Sequence, residues 1–253
     1  MLDWTIDHPR MLFVVMTLFL LASVEIGFRL RGRRTSSSDE QQFKRIGETR
    51  NEIGVLLSLL LGFTLAMSLV RYDHRTELVV DEANAIGTTR LRAEMLPEPS
   101  RARVRELLRQ YIDSRVQYSR AGPPEERQQP LHRSQEIQRD LWQEARAAAQ
   151  QSPNPISSLF VASLNEAFDL REKRFAALEN RIPGSIWFML VTIAVLTCLT
   201  VGYAHTSRLS YSMVVPPLMI AIVMMLIADL DTSRSGLIRV RQHSIERLQS
   251  ESK

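Results

Sequence analysis

Cysteine is nearly absent: Cys198 is the single one among 253 residues. One thiol closes no intrachain disulfide and builds no thiolate metal cage, so neither holds this protein together. Set inside an apolar block, Cys198 reads as a small buried side chain. The histidines His8, His74, His132, His205 and His243 are scattered, and no two share a helical face at ligand spacing. No serine sits in a nucleophile elbow, and there is no glycine-rich phosphate loop, alternating strand pattern or internal repeat. Basic residues outnumber acidic ones 32 to 28, without the aromatic interleaving that marks a nucleic-acid surface. These absences leave no enzyme signature and give no reason to expect a cofactor, a metal or a nucleic-acid partner.

What is present is segregation. The chain averages 45% hydrophobic and 24% charged residues, which resembles a soluble protein, but the apolar residues fall into four blocks with the charges between them. Roughly 20 apolar residues at ~1.5 Å each cross the hydrocarbon core as a helix. The expected fold is therefore an all-α membrane protein with four transmembrane helices, two and two. A helical extramembrane domain lies between the second and third spans.

The expected spans are residues 11–28, 51–71, 186–204 and 211–230, with the second continuing as helix to about residue 91. Residues 1–10 form a short polar N-terminal segment with Trp4 at an interface, and 29–50 a basic polar linker. Residues 92–183 form the helical domain and 231–253 an amphipathic tail. Glu25, near the end of the first span, is a carboxylate within reach of Arg29 and Arg31.

The second span organises the rest. Between Ile53 and Val70 its only polar side chains are Ser58, Thr64 and Ser68, and neither Gly nor Pro stops it at Arg71. Gly54, Ser58, Gly62 and Ala66 recur every fourth residue, with Phe63 beside them. Such a stripe either lets another backbone approach closely or lines a narrow passage, with Phe63 as a ring that closes by dewetting. Both readings stand. Beyond the span, Arg71, Asp73, Arg75, Glu77, Asp81, Glu82 and Asn84 form a charged collar. Arg71 with Arg75, and Asp73 with Glu77, are like-charged i,i+4 pairs that call for partners from elsewhere. The collar serves as ordinary ion pairs at the membrane exit or as rings of charge that bias ion passage.

The string LLLGFTLAMSLVRYDHRTELVVDEANAIGTTRLRAEMLPEP resembles the bacterial bestrophin-like family. The segment ADLDTSRSGLIRV, which holds Asp229, Asp231 and Gly236, looks like that family's closing motif. The resemblance covers nearly the whole chain. It implies a multi-pass protein of a bacterial inner membrane, distantly similar to the pentameric bestrophin anion channels. Asn84 falls within the EANAIG string that carries the likeness. No run here matches the acidic calcium cluster of true bestrophins. Asp229 and Asp231 are expected to pair with Arg234 or Arg239 rather than to hold a cation.

In the helical domain Ser100 is a plausible N-cap, followed by Val104, Leu107, Leu108, Tyr111, Ile112 and Val116 on one face. A second segment from Leu131 places Ile137, Leu141, Trp142 and Ala145 on a stripe. A third runs from Ile156 to Arg181, before Pro183-Gly184 breaks the chain. Pro216-Pro217 should bend the fourth span or delay its start. Leu237, Ile238, Val240, Ile245 and Leu248 should face inward or onto lipid in the tail. Orientation is contested: the basic 29–50 linker argues for the cytoplasm by its charge, whereas the bestrophin likeness puts the helical domain there. The expected partners are the lipid bilayer, further copies of the chain and small inorganic ions. Two functions follow. One is an oligomeric bestrophin-like ion channel lined by the second span. The other is a non-conducting scaffold or sensor whose helical domain binds a protein through the Leu107 or Trp142 face.

Overall fold

The structure, a computed structural model, describes residues 8–32, 40–122, 124–205, 211–232, 236–238 and 240–251. Among these the regular structure is all helix: α1 (Pro9–Gly32), α2 (Glu40–Ala93), α3 (Ser100–Arg120), α4 (Pro124–Gln151), α5 (Pro155–Glu179), α6 (Gly184–Ala204), α7 (Tyr211–Asp231) and α8 (His243–Glu251). Trp4, residues 33–39 of the basic linker, Arg234 and Arg239 lie outside the described residues. The chain divides into two compact units. One comprises Met1–Tyr72 with Asn180–Arg239, the other Asp73–Glu179 with Val240–Lys253.

The first unit contains α1, the first part of α2, α6 and α7. Four stretches are long and apolar enough to cross a membrane: Pro9–Arg31, Arg50–Ala93, Pro155–Ala204 and Met213–Asp231. Their core joins Leu12, Leu20, Val24, Leu57, Leu61, Leu190, Ala194, Cys198, Met224 and Ile227. Outward positions such as Leu18, Val55, Phe188 and Met219 are apolar too, as helices surrounded by lipid require. α1 and α6 approach most closely at two glycines. A Cβ on Gly27 would stand 2.1 Å from the Leu199 carbonyl oxygen, and one on Gly202 1.9 Å from that of Val24. Trp187 is buried in this core.

Several local expectations are corrected. α2 begins at Glu40, within the stretch read as linker, because residues 40–51 hold no Pro and only one Gly, Gly47, which a helix tolerates singly. Pro216 and Pro217 neither end α7 nor delay it; the helix starts at Tyr211 and carries both inside. α4 begins at Pro124 and runs through Pro130. Proline fits the first helical position, and the carbonyl that Pro130 leaves unbonded belongs to exposed Glu126. Ser100 is the first helical residue of α3 rather than its cap. Glu98 does the capping instead, accepting from the Ala102 N–H at 3.2 Å.

The second unit packs α3, α4, α5 and α8 with the distal part of α2. Its core takes Val104, Leu107, Leu108, Tyr111 and Ile112 from α3, Ile137, Leu141, Ala145 and Ala148 from α4, and Phe160, Leu164 and Ala167 from α5. Trp142 is exposed, one position off the α4 stripe, so the α4 stripe is completed by Ala148. In α8 Ile245 is fully buried, and Leu237, in the first unit, is exposed.

Candidate functional site

α2 carries a two-faced pattern set by helical spacing. In the first unit Leu57, Leu61, Thr64 and Ser68 are buried, and Ser58, Gly62, Phe63 and Ala66 on the other side are exposed, Gly54 being half-buried. A Cβ on Gly54 or Gly62 would meet nothing within 4 Å. Within one chain, then, this stripe is not a packing surface; the tight backbone approach is made at Gly27 and Gly202. Phe63 is 65% exposed. The Ser58 hydroxyl donates to the Gly54 carbonyl at 2.9 Å, which satisfies its proton inside the helix. The upper part of the stripe opens onto a cleft of about 550 Å³ whose lining includes Arg50, Asn51, Gly54, Ser58, Thr197 and His205.

The collar separates into two groups. Arg71 lies 3.8 Å from the Asp231 carboxylate and donates to the Asn180 carbonyl at 3.4 Å. Arg75 is buried and donates to the Ala177 carbonyl at 3.0 Å. The partners that these two arginines call for are therefore supplied within the chain. Asp73, Glu77 and Asn84 are exposed and Asp81 half-buried, with Glu77 3.8 Å from His74. The Asn84 side chain has no hydrogen-bond partner among the described residues.

Glu82 belongs to neither face of a collar. It is fully buried and holds Arg115 through Nε at 2.7 Å and Nη2 at 3.1 Å, and Arg174 through Nη1. Burial pushes the Glu82 carboxyl up, but Arg115 and Arg174 outweigh it, so the group is held below its ordinary value and stays ionised. The Arg115 guanidinium stacks on Tyr118 and Phe175 with 5.3 and 5.4 Å to the ring centres, and Arg171 stacks on Phe175 at 4.8 Å. Arg174 also donates to Gln242.

Asp229 and Asp231 are backbone anchors. Asp229 accepts from the Leu237 N–H at 2.6 Å and the Ile238 N–H at 2.9 Å, and a Cβ on Gly236 would stand 2.0 Å from its Oδ1. Asp231 accepts from the Ile182 N–H at 3.1 Å. Among the described residues no group of three His, Cys, Asp or Glu side chains is placed to hold a metal ion.

The buried arginines left a signal in the chain. Arg115 follows Val104, Leu107, Leu108 and Tyr111 in core register, and Arg171 and Arg174 follow Leu164 and Ala167 in the same way. A charged residue at a position that periodicity assigns to the core marks a buried pair. Gly27 and Gly202 left none, each being a lone glycine in an apolar helix. The docking face expected around Leu107 is closed, since Leu107 is buried; Trp142 alone of that pair is exposed.

A profile of the Bestrophin-like domain matches residues 14–245. By fold the chain is similar to crystal structures of a bacterial bestrophin homologue from Klebsiella pneumoniae. A point variant of it shares 14% identity, with 95% of this chain and 97% of that one covered and a TM-score of 0.66. The structure solved by Zn-SAD phasing gives 14%, 94%, 96% and 0.67. At this identity the likeness is one of fold. No curated protein matches by sequence.

Proposed function

Because the chain belongs to the bestrophin-like family, as a multi-pass membrane protein, we propose that it assembles into an oligomeric ion channel whose pathway is lined by the second span. The spans pair two and two, with residues 92–183 outside the bilayer between them, in the inner membrane of a bacterium. The single observation that carries this reading is the open face of α2. Gly62, Phe63 and Ala66 in the span recur at spacings of one and three, and Asp73, Glu77, Asp81 and Asn84 beyond it at spacings of four and three, so each group lies on one side of α2. None of the residues among them that lie in the span is covered by another element of the chain. A purely lipid-facing surface has no use for glycine and alanine at Gly62 and Ala66, or for the Ser58 hydroxyl above them. Around a symmetry axis, the same residues give a narrow path with Phe63 as the apolar constriction and Asp73 and Glu77 as rings beyond it. Arg75 and Glu82 drop out of the collar, since both are buried.

Ion flux from purified protein in liposomes tests the reading, with chloride and potassium gradients compared in wild type and Phe63→Ala. The expected result is flux that the substitution increases, because the constriction is lost. Sealed liposomes containing inserted, correctly assembled protein would sink the proposal.

A further inference from the structure

The helices of the first unit leave one cleft open between them. Its volume of about 550 Å³ is in the range of pockets that hold a small molecule. It gathers the start of the apolar run of α2, the last two turns of α6 and the second turn of α7. Its two ends differ in chemistry. Arg50 and His205 stand at the polar end, where the α2 run begins and α6 stops, and Gly54, Val55, Val201 and Pro216 line the rest. Ser58 and Thr197 also reach it, but each hydroxyl donates within its own helix, to the Gly54 carbonyl at 2.9 Å and the Ile193 carbonyl at 2.8 Å. The deeper wall therefore asks for no polar ligand.

We propose that this cleft binds an anionic phospholipid, with the headgroup phosphate on Arg50 and an acyl chain along Gly54 and Val201. Charge points there first. Arg50 approaches the Asn51 side-chain oxygen at 3.5 Å and pairs with no carboxylate among the described residues, and no acidic side chain is among the described residues of the lining. A guanidinium fork matches the geometry of a phosphate. His205 donates from Nδ1 to the Val201 carbonyl at 2.8 Å, which holds its ring at the same end. Depth points the same way. Arg50 and Ser58 are eight residues apart, about 12 Å along the helix, against ~15 Å of hydrocarbon in one leaflet. A free phosphate would leave the apolar wall unfilled, whereas a lipid matches both ends. Gly54 leaves the room, since a Cβ there would meet nothing within 4 Å. Gly54 and Phe63 are nine residues apart, about two and a half turns, and so lie on opposite sides of α2. The inference rests on the helices being membrane spans and not on conduction.

Thermal unfolding of the full-length protein in detergent tests the inference, with phosphatidylglycerol, phosphatidylcholine or inorganic phosphate added. Saturable stabilisation by phosphatidylglycerol is expected in wild type, well above that by phosphatidylcholine and without any from inorganic phosphate. Arg50→Gln should weaken half-saturation about tenfold, the worth of one hydrogen bond to a charged group. Gly54→Leu extends into open space, so it should unfold no earlier than wild type in lipid-free detergent and yet lose the phosphatidylglycerol effect. Native mass spectrometry should count one fewer tightly held lipid per chain in each variant. Stabilisation that is equal for the two lipids, reproduced by inorganic phosphate, or unchanged in both variants would overturn the proposal. None of these readouts involves flux, so the loss of the lipid site and the loss of the pathway are separate results.

Discussion

Glu82 and Arg115 face each other through two hydrogen bonds of 2.7 and 3.1 Å, with 0% and 1% of their side chains open to water. The pair crosses from α2 to α3, and Arg174 on α5 completes it, so one carboxylate ties three helices. Glu82→Gln keeps the shape and removes the charge, leaving two buried guanidinium groups uncompensated. It should cost about 3–5 kcal/mol of stability, the usual penalty for breaking a buried ion pair from one side. Denaturant unfolding in detergent measures this. Adding Arg115→Met to Glu82→Gln should recover part of the loss, because one orphaned charge disappears.

The same carboxylate sets an acid limit. In the folded chain Glu82 is held below the ordinary carboxylate value of 4.5, so the unfolded chain binds the extra proton first as pH falls. Its contribution to stability is therefore fully present above about pH 4.5 and is lost as pH drops through the lowered folded value. Unfolding temperature measured from pH 7 to pH 3 should fall more steeply in wild type than in Glu82→Gln, which has no such proton to take up. Parallel curves would remove Glu82 as the cause.

Glycines on α1, α2 and α6 should answer to alanine in opposite ways. At Gly202 and Gly27 the added methyl meets backbone oxygen at 1.9 and 2.1 Å, and backbone cannot rotate aside as a side chain does. Either substitution forces α1 and α6 apart, with a cost of about 1–3 kcal/mol or more. Gly62→Ala meets open space and should change the stability of the single chain by no more than about 0.5 kcal/mol. Unfolding measurements on the three variants separate these outcomes. A change in flux in Gly62→Ala without a change in stability would support the second span as the pathway.

What the chain made legible was whatever periodicity and length encode. Four apolar blocks, the buried α3 face from Val104 to Val116 and the unbroken run of α2 past Arg71 all follow from side-chain spacing. Where two signals competed, local chemistry misled. Pro216-Pro217 read as a bend or a late start and the α4 segment as beginning at Leu131, although a proline's missing N–H near a helix start is cheap when the orphan carbonyl reaches water or lies in the first turns. Trp142 read as core because it is large and apolar, yet the α4 stripe is set by Leu141 and Ala145. Seen from sequence, Arg75 and Glu82 were two more charges among six. Only the register of Arg115, Arg171 and Arg174 within apolar faces carried their burial, and that register becomes meaningful once the helices are packed. The Gly27–Gly202 approach had no local signature, since it depends on two helices far apart in the chain meeting at one point.

Asp229 and Gly236 make the last case, because their roles are inseparable. The carboxylate holds the turn after α7 by accepting two consecutive backbone N–H groups, from Leu237 and Ile238, and it reaches them only because residue 236 has no Cβ. Charge-assisted bonds of this kind contribute roughly 1.5–3 kcal/mol each when buried. Asp229→Asn keeps one accepting oxygen and should loosen the turn partly, whereas Gly236→Ala pushes the carboxylate away and should release both bonds. Amide exchange at Leu237 and Ile238 reads this directly, and the expected order of protection is wild type, then Asp229→Asn, then Gly236→Ala. Calcium should leave exchange in wild type unchanged, since the Asp229 oxygens are already committed to backbone. Protection that rises with calcium, or that survives Gly236→Ala, would mean that the aspartates serve a cation after all.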